Sequence, residues 1–376
     1  MFFKNARIFC SDFQFRMGGF EVTDEGLFGQ ILPEQIPQDA VDLQGATVIP
    51  GLIDVHNHGN SGADFSDGDY QGLKTMAAYL ASNGITGFAP ASMTLPYDVL
   101  EKAFATAKTL ADTKPQGCAR LLGIQMEGPY FSEKKKGAQN GAYLKNPDFE
   151  GFQKLYEGCG GLVRIVDVAA ELPGAEEFVK QASQLCTVSL AHTDSDYDHA
   201  KAAFSAGATH LTHLYNAMPA IHHRNPGVIP AAAENPNVRA ELICDGHHIH
   251  PSAVRLAYTM FGPERLILVS DALRCCGMPD GQYELGGQEV FLKGGVAKLA
   301  DGTLAGSATN LYDCMCVAMS FGIDEAGAVR AATYNPACSL GVQDRTGSIA
   351  PGKYADFIVC TDNYKNKQVY MNGKPI

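Results

Sequence analysis

Five stretches of this chain end an apolar run on a side chain able to ligate a metal or move a proton: GLIDVHNH (51–58), GIQMEG (123–128), VSLAHT (188–193), HLTHLYNAM (210–218) and LILVSDA (266–272). His56 and His58 are two apart on a strand-like run, so both imidazoles fall on one face and can share a cation such as Zn²⁺. Glu127 follows an apolar run and precedes Gly128-Pro129, a turn signal. A carboxylate there is costly unless it meets a cation. His192 and His213 close two further runs. Seen singly, each is more often a satisfied structural histidine, but three separate strand ends offering Glu, His and His form a sharper signal. His210, three before His213, reads as structural. Asp271 closes the last run, and beside a metal-activated water it becomes a general base and acid.

Two loops add cations. PAIHHRNPG (219–227) carries His222, His223 and Arg224, and DGHHIHP (245–251) carries His247, His248 and His250. An Arg and imidazoles of this kind can grip an anionic group, although taken alone such loop residues are more often solvated charges than a binding site. Lys134, Lys135 and Lys136 read as a solvated face.

These side chains need a scaffold that brings strand ends together. The middle of the chain alternates strand-like runs with helical patterns such as DYQGLKTMAAYLASNG (69–84) and DVLEKAFATAKTLADT (98–113). Such alternation implies a parallel sheet with crossover helices. About eight strands fall between GLIDVH and RLILVSDA, the number that closes a (β/α)8 TIM barrel, whose C-terminal strand ends face one active-site mouth. No GxGxxG opens a helix, which disfavours an open nucleotide-binding sheet. Residues 281–306 break the rhythm as a β-hairpin excursion. Both ends are β-rich, and Asn372-Gly373 reads as a hairpin turn. We therefore expect an α/β protein: a catalytic barrel over 51–344 and a small β-sandwich domain assembled from 1–50 and 345–376.

The chain has 376 residues, 45% hydrophobic and 19% charged, an ordinary globular composition. Its 29 Lys+Arg against 41 Asp+Glu give a net charge of −12, which disfavours nucleic acid or an anionic membrane as a partner gripped by bulk charge. MFFKNARIFC lacks the apolar core of a secretory signal, and no run approaches the ~18 apolar residues of a membrane span. The 11 scattered cysteines contain no CxxC pair and read as free thiols of a reducing, cytoplasmic setting.

PGLIDVHNHG resembles the opening metal motif of the amidohydrolase superfamily. MEGPY, AHTDS, THLYNAM, HHRNPG, DGHHIHP, LVSDALRCCGMPDG, DGTLAGSA and ATYNPA, in that order, are similar to the N-acetylglucosamine-6-phosphate deacetylase family across nearly the whole chain. A strand-three Glu without a candidate carboxylated Lys points to this branch of the superfamily rather than to hydantoinases or dihydroorotases. The resemblance implies a TIM barrel with a β-sandwich from both termini, one or two divalent metals (Zn, Fe, Mn or Co) per subunit, and a homodimer. Glu127, His192 and His213 would hold the main metal, and His56, His58 and a bridging Glu127 a second. Asp271 would be the general base and acid in hydrolysis of the N-acetyl amide, giving glucosamine 6-phosphate and acetate.

Asn216 and Ala217 would contact the sugar phosphate, His223 and Arg224 the phosphate from a loop that can reach a neighbouring subunit. His248 would touch the sugar, and Leu304 would line the acetyl pocket. Two positions depart from many members: Gln125 and Gln139 stand where His is usual. The second of those histidines is credited with polarising the acetyl carbonyl, so the metals would carry more of that task here. The alternatives are a related N-acyl amino-sugar phosphate such as N-acetylgalactosamine 6-phosphate and, more remotely, an inactive metal-free barrel with an assembly role.

Overall fold

A computed structural model describes all 376 residues. Its centre is a ring of parallel strands: β1 (Leu52–Asn57), β2 (Ile85–Pro90), β3 (Ile124–Met126), β4 (Val163–Val168), β5 (Thr187–Leu190), β6 (His210–Leu211), β7 (Arg239–Ile243) and β8 (Leu266–Val269). Each pairs in parallel with the next, and two single bridges complete the circle, Ala91 to Gln125 and Asn57 to Ala272. Every residue of β1 and β2 is buried, as befits strands covered on both faces.

Alternate strand positions, among them Ile53, Val55, Ile165, Ile243, Ile267 and Val269, pack with Ala337, Leu340 and Val342 in one cluster that fills the ring. The register of β1 against β2 shifts between Asp54 and Asn57. That irregularity interrupts strict alternation, so Val55 joins the apolar filling while the next residue, His56, still turns into the site.

The helices cover the outside for ordinary reasons. Tyr70–Ser82 is capped by Asp69, which accepts from the Gln71 and Gly72 amides, and it buries Leu73, Met76, Ala77 and Leu80 at helical spacing. Gly84, at φ +88°, turns the chain back into β2, and a Cβ there would come within 2.8 Å of Ile358.

Strands from both ends of the chain form one eight-stranded sheet. Its order runs Lys374–Pro375, Asn366–Met371, Phe357–Thr361, Thr47–Pro50, Phe2–Phe9, Phe15–Val22 and Phe28–Ile31, with Val41–Asp42 added against Phe2–Phe9. Phe3 stacks on Phe20 at 4.8 Å and Phe357 on Tyr370 at 4.5 Å in its core. Arg120, just before β3, grips Asp356 through Nε at 3.0 Å and ties this sheet to the barrel.

The excursion after β8 is an antiparallel sheet of Gly281–Leu285, Gln288–Lys293, Val296–Leu299 and Leu304–Ser307. Ser307 bridges Ala272, so this sheet stands against the end of the barrel where β8 finishes. All eleven cysteines are free and none is exposed. No helix is long and apolar enough to cross a membrane.

Candidate metal centre

The six candidate side chains at the strand ends meet at the C-terminal mouth of the ring. His56 is the penultimate residue of β1 and His58 follows the strand. Glu127 comes one residue after β3, and His192, His213 and Asp271 each come two residues after their strands. His192, His213 and Asp271 adopt left-handed backbone (φ +44°, +32° and +48°), uncommon for residues with a Cβ and costing on the order of 1 kcal/mol each. Three such departures in one mouth mark a place where side-chain direction outweighs backbone comfort.

Glu127 is the hub. Its Oε1 lies 3.2 Å from both His192 Nε2 and His213 Nε2, while its Oε2 lies 3.3 Å from His58 Nε2. His56 Nε2 is 3.6 Å from Oε1. Asp271 Oδ1 closes the other side, 3.3 Å from His58 Nε2 and 3.6 Å from His56 Nε2. Two groups of potential ligands result, His56–His58–Glu127 and Glu127–His192–His213, sharing the one carboxylate and all buried.

Hydrogen bonds behind the rings fix which nitrogen faces inward. His58 Nδ1 donates to the Ala91 carbonyl at 3.1 Å and His192 Nδ1 to the Lys135 carbonyl at 2.8 Å; a carbonyl only accepts, so in the neutral ring each Nε2 presents a lone pair. His56 Nδ1 is held in the same way by Glu241 Oε2 at 2.9 Å. Inward-facing lone pairs therefore oppose one another and two carboxylates, with His192 Nε2 only 3.0 Å from His213 Nε2. The lone pairs of His58 and His192 and the two carboxylates are acceptors that a divalent cation satisfies, and these His and carboxylate groups with carbonyl and carboxylate partners suit one.

The charges respond accordingly. Burial alone would raise the Glu127 pKa, yet the surrounding imidazoles hold its carboxyl well below the usual range. Burial likewise opposes charge on His56, but Glu241, Glu127 and Asp271 push that ring up to about 10, so a cation seated here would displace a second ring proton from Nε2 before that nitrogen could ligate.

A cavity of about 250 Å³ opens beside these groups, lined by His58, Glu127, His192, His213 and Asp271 and also by Gln139, Asn216, Ala217, His248 and Leu304. Gln139 Nε2 donates to Glu127 Oε2 at 2.7 Å and its Oε1 accepts from the Thr94 amide at 2.8 Å, which leaves one N–H of the amide unused. Asn216 donates to the His213 and Leu214 carbonyls at 3.3 Å, which steadies the turn carrying His213. His248 Nδ1 pairs with Asp245 Oδ2 at 2.7 Å.

His223 and Arg224 lie apart from this pocket. They sit on the exposed 220–225 segment, with Arg224 Nη1 2.8 Å from His223 Nε2, and line no part of the cavity. A larger cavity of about 770 Å³ lies by the N-terminal ends of β3 and β4, where Arg120 and Arg164 sit, and includes none of the ligating groups.

Several supporting residues were not singled out from the sequence. Glu241 holds His56 and also faces His210 Nε2 at 3.0 Å. Asp167 on β4 receives Gln125 Nε2 at 3.1 Å and Thr212 Oγ1 at 3.1 Å. Burial first, then the charges of Glu127 and Glu241, keep its carboxyl well above the usual range. The cost argument applied to Glu127 would have found both, since RAELICDG and VRIVDVAA each bury a carboxylate in an apolar run. Phe131, stacked 4.4 Å over His192, and the Lys135 carbonyl carry no comparable signal. Lys135, read as part of a solvated face, supplies main-chain support to the site.

A barrel with histidines and a shared carboxylate at its mouth defines an amidohydrolase, and the amidohydrolase family model matches residues 47–376. The N-acetylglucosamine-6-phosphate deacetylase of Vibrio furnissii is 36% identical over 340 residues, covering 89% of this chain and 84% of the relative. The N-acetylgalactosamine-6-phosphate deacetylase of Escherichia coli O157:H7 is 33% identical over 345 residues, covering 91% and 90%. Among solved structures, N-acetyl-D-glucosamine-6-phosphate deacetylase of Mycobacterium smegmatis in complex with N-acetyl-D-glucosamine-6-phosphate superposes with a TM-score of 0.93 at 29% identity, covering 100% of this chain and 98% of that one. The chain belongs to the amidohydrolase family and, within it, to the N-acetylglucosamine-6-phosphate deacetylases.

Proposed function

We propose that this enzyme hydrolyses the N-acetyl amide of N-acetylglucosamine 6-phosphate, releasing glucosamine 6-phosphate and acetate. The observation that carries the reading is the position of Asp271, whose Oδ1 faces the His56 and His58 ring nitrogens at 3.6 and 3.3 Å on the wall of the 250 Å³ cavity. Glu127, His192 and His213 would hold one divalent cation, and His56 and His58 with Glu127 would hold a second. What the cation supplies when present is Lewis acidity, which lowers the pKa of water toward about 7 and polarises the acyl oxygen. Zn, Fe, Mn and Co all suit this ligand set.

Asp271 accepts the proton of the attacking water and returns it to the departing amine, because an unprotonated amide nitrogen leaves poorly. Gln139 binds Thr94 and Glu127, orients the shared carboxylate, and with its second N–H donates one neutral hydrogen bond to the substrate, so the metals carry more of the polarisation. Leu304 packs on the acetyl methyl, His248 donates to the sugar, and Asn216 and Ala217 border the sugar phosphate. His223 and Arg224, exposed on their own subunit, grip the phosphate in the neighbouring copy of a homodimer. The sheet shared by both termini acts as a small β-sandwich domain, residues 1–50 and 345–376, beside a TIM barrel of 51–344. The free thiols fit a reducing, cytoplasmic setting.

Acetate release from N-acetylglucosamine 6-phosphate, measured together with elemental analysis of the purified protein, tests the reading. Metal-containing protein that releases no acetate would overturn it. The E. coli relative, an N-acetylgalactosamine-6-phosphate deacetylase, supports a second substrate, the galacto epimer. Paired kcat/KM values on the two sugar phosphates decide between them.

A further inference from the structure

We propose that Glu241 is the positioning residue that holds both halves of the metal centre, an inference that rests on the metal-dependent reading above. Glu241 lies within β7 and is completely buried. Its Oε2 accepts from His56 Nδ1 at 2.9 Å and from the main-chain amide of His213 at 3.2 Å. Its Oε1 meets His210 Nε2 at 3.0 Å, and His210 Nδ1 lies 3.2 Å from Ser339 Oγ. One carboxylate thus touches a member of each ligand group, by its side chain in one and its backbone in the other.

The contacts do different work. At His56 the bond fixes the proton on Nδ1, aims Nε2 at the centre and makes the ring a better donor to a cation. At His213 it pins a residue in left-handed backbone, φ +32°, whose ring would swing away if the turn relaxed. His210 occupies the remaining oxygen and stops the carboxylate from rotating. His58 and His192 lean on main-chain carbonyls. Glu241 is therefore the one charged partner behind a ligand's Nδ1, and an apolar residue in its place would strand three buried N–H groups.

The side chain of Gln offers one oxygen and one NH₂. The oxygen can serve His56 and the His213 amide, while the NH₂ donates to His210 Nε2, whose Nδ1 then donates to Ser339. Glu241→Gln thus keeps the geometry and loses the charge, whereas Glu241→Ala loses both.

The test is Co²⁺ titration of the full-length apo-protein, with the visible absorption band and a competing chelator giving Kd. Outer-shell partners of metal ligands are typically worth about 10- to 100-fold in affinity. We expect Glu241→Ala to weaken Co²⁺ binding by about 100-fold and Glu241→Gln by about 10-fold, each with a shifted absorption band. His210→Gln, which disturbs only the supporting oxygen, should stay within about threefold of the parent. Parent-like affinity and band shape in the Glu241 variants overturn the proposal; if the Ala variant does not fold, the same result in the Gln variant does so alone. An equal loss in His210→Gln also overturns it, since the carboxylate would then be a general core strut. A parent chain that takes up no Co²⁺ overturns the metal reading and this inference with it, whereas a binding parent matched by its variants overturns this inference only.

Discussion

Asp271→Asn separates proton transfer from metal retention at this site. Asn is close to isosteric with Asp and tolerates left-handed backbone, so the φ of +48° at this position carries little penalty for the substitution. The main-chain bonds that seat the residue, from its own amide to the His56 carbonyl at 2.9 Å and from the Ser307 amide to its carbonyl at 2.7 Å, do not involve the side chain and persist. What disappears is a carboxylate that is ionised in the native protein: burial opposes the charge, but His56 and His58 outweigh it and hold the pKa below the usual value. A carboxamide cannot accept the water proton or return it to the amine. General acid–base catalysis contributes about 10²- to 10⁴-fold, so kcat should fall by at least about 100-fold, a barrier increase of about 3–5 kcal/mol.

The assay is acetate release at saturating sugar phosphate, with metal content measured on the same preparation. The expected result is a large loss in kcat, metal retained, and an unchanged melting temperature. Turnover within about fivefold of the parent would refute the assignment of Asp271 as base. Loss of activity that tracks loss of metal would instead make Asp271 a ligand and leave the proton carrier to be found elsewhere.

Four other outcomes follow from the geometry. Arg224→Ala should raise KM for the phosphorylated sugar far more than it lowers kcat; equal weakening of sugar and sugar phosphate would remove the phosphate role. Removing metal with a chelator should lower the melting temperature as well as activity, since a ligand at about 1,000 times its Kd contributes about 4 kcal/mol, and superimposed calorimetric melts would contradict this. Phe357→Ala, fully buried among Phe3, Phe20 and Tyr370, should cost about 3–5 kcal/mol in urea unfolding while leaving KM unchanged. The Asp245–His248 pair predicts a pH window. Burial disfavours both charges, yet His248 pulls Asp245 down to about 2 and Asp245 lifts His248 above its ordinary 6.5. Stability from the raised His is complete below pH 6.5 and fades as pH climbs through its folded value, while that from Asp245 fades as pH falls from 3.8 toward about 2. Melting temperatures between about pH 6 and 9 should fall less steeply in Asp245→Asn than in the parent, and parallel curves would sink the assignment.

The candidate ligands were legible because each ended an apolar run, where an unpaired charge or imidazole is expensive and strand direction brings the ends together. Glu127, His192 and His213 illustrate this: neighbours in space at 3.2 Å, they are separated in sequence by whole β/α units. The supporting shell was less legible, for two reasons. Glu241 in the middle of β7 and Asp167 next to the end of β4 lie within their strands, where an apolar pattern masks a single polar residue. The supports of His58 and His192 are main-chain carbonyls of Ala91 and Lys135, whose positions no side-chain type announces. Sequence also could not tell that Gln139 spends its NH₂ on Glu127, because an amide offers donor and acceptor alike and only the neighbours choose. The loop of His223 and Arg224 differs again: its residues look apt for an anion, yet within one subunit they face solvent.

The sheet that joins the two termini sets an order on biosynthesis. Thr47–Pro50 pairs on one side with Phe2–Phe9, made moments before it, and on the other with Phe357–Thr361, made after the entire barrel. A nascent chain therefore leaves the ribosome with one strand edge open until Phe357–Thr361 has been made. Such an edge is a template for pairing with another chain. A message cut short, or a cleavage that strips the last twenty residues, would yield a barrel whose six metal-site side chains are all present but whose companion sheet has lost its closing strands. Phe357–Thr361 thus acts as a latch, the late strand that covers the edge left by Thr47–Pro50.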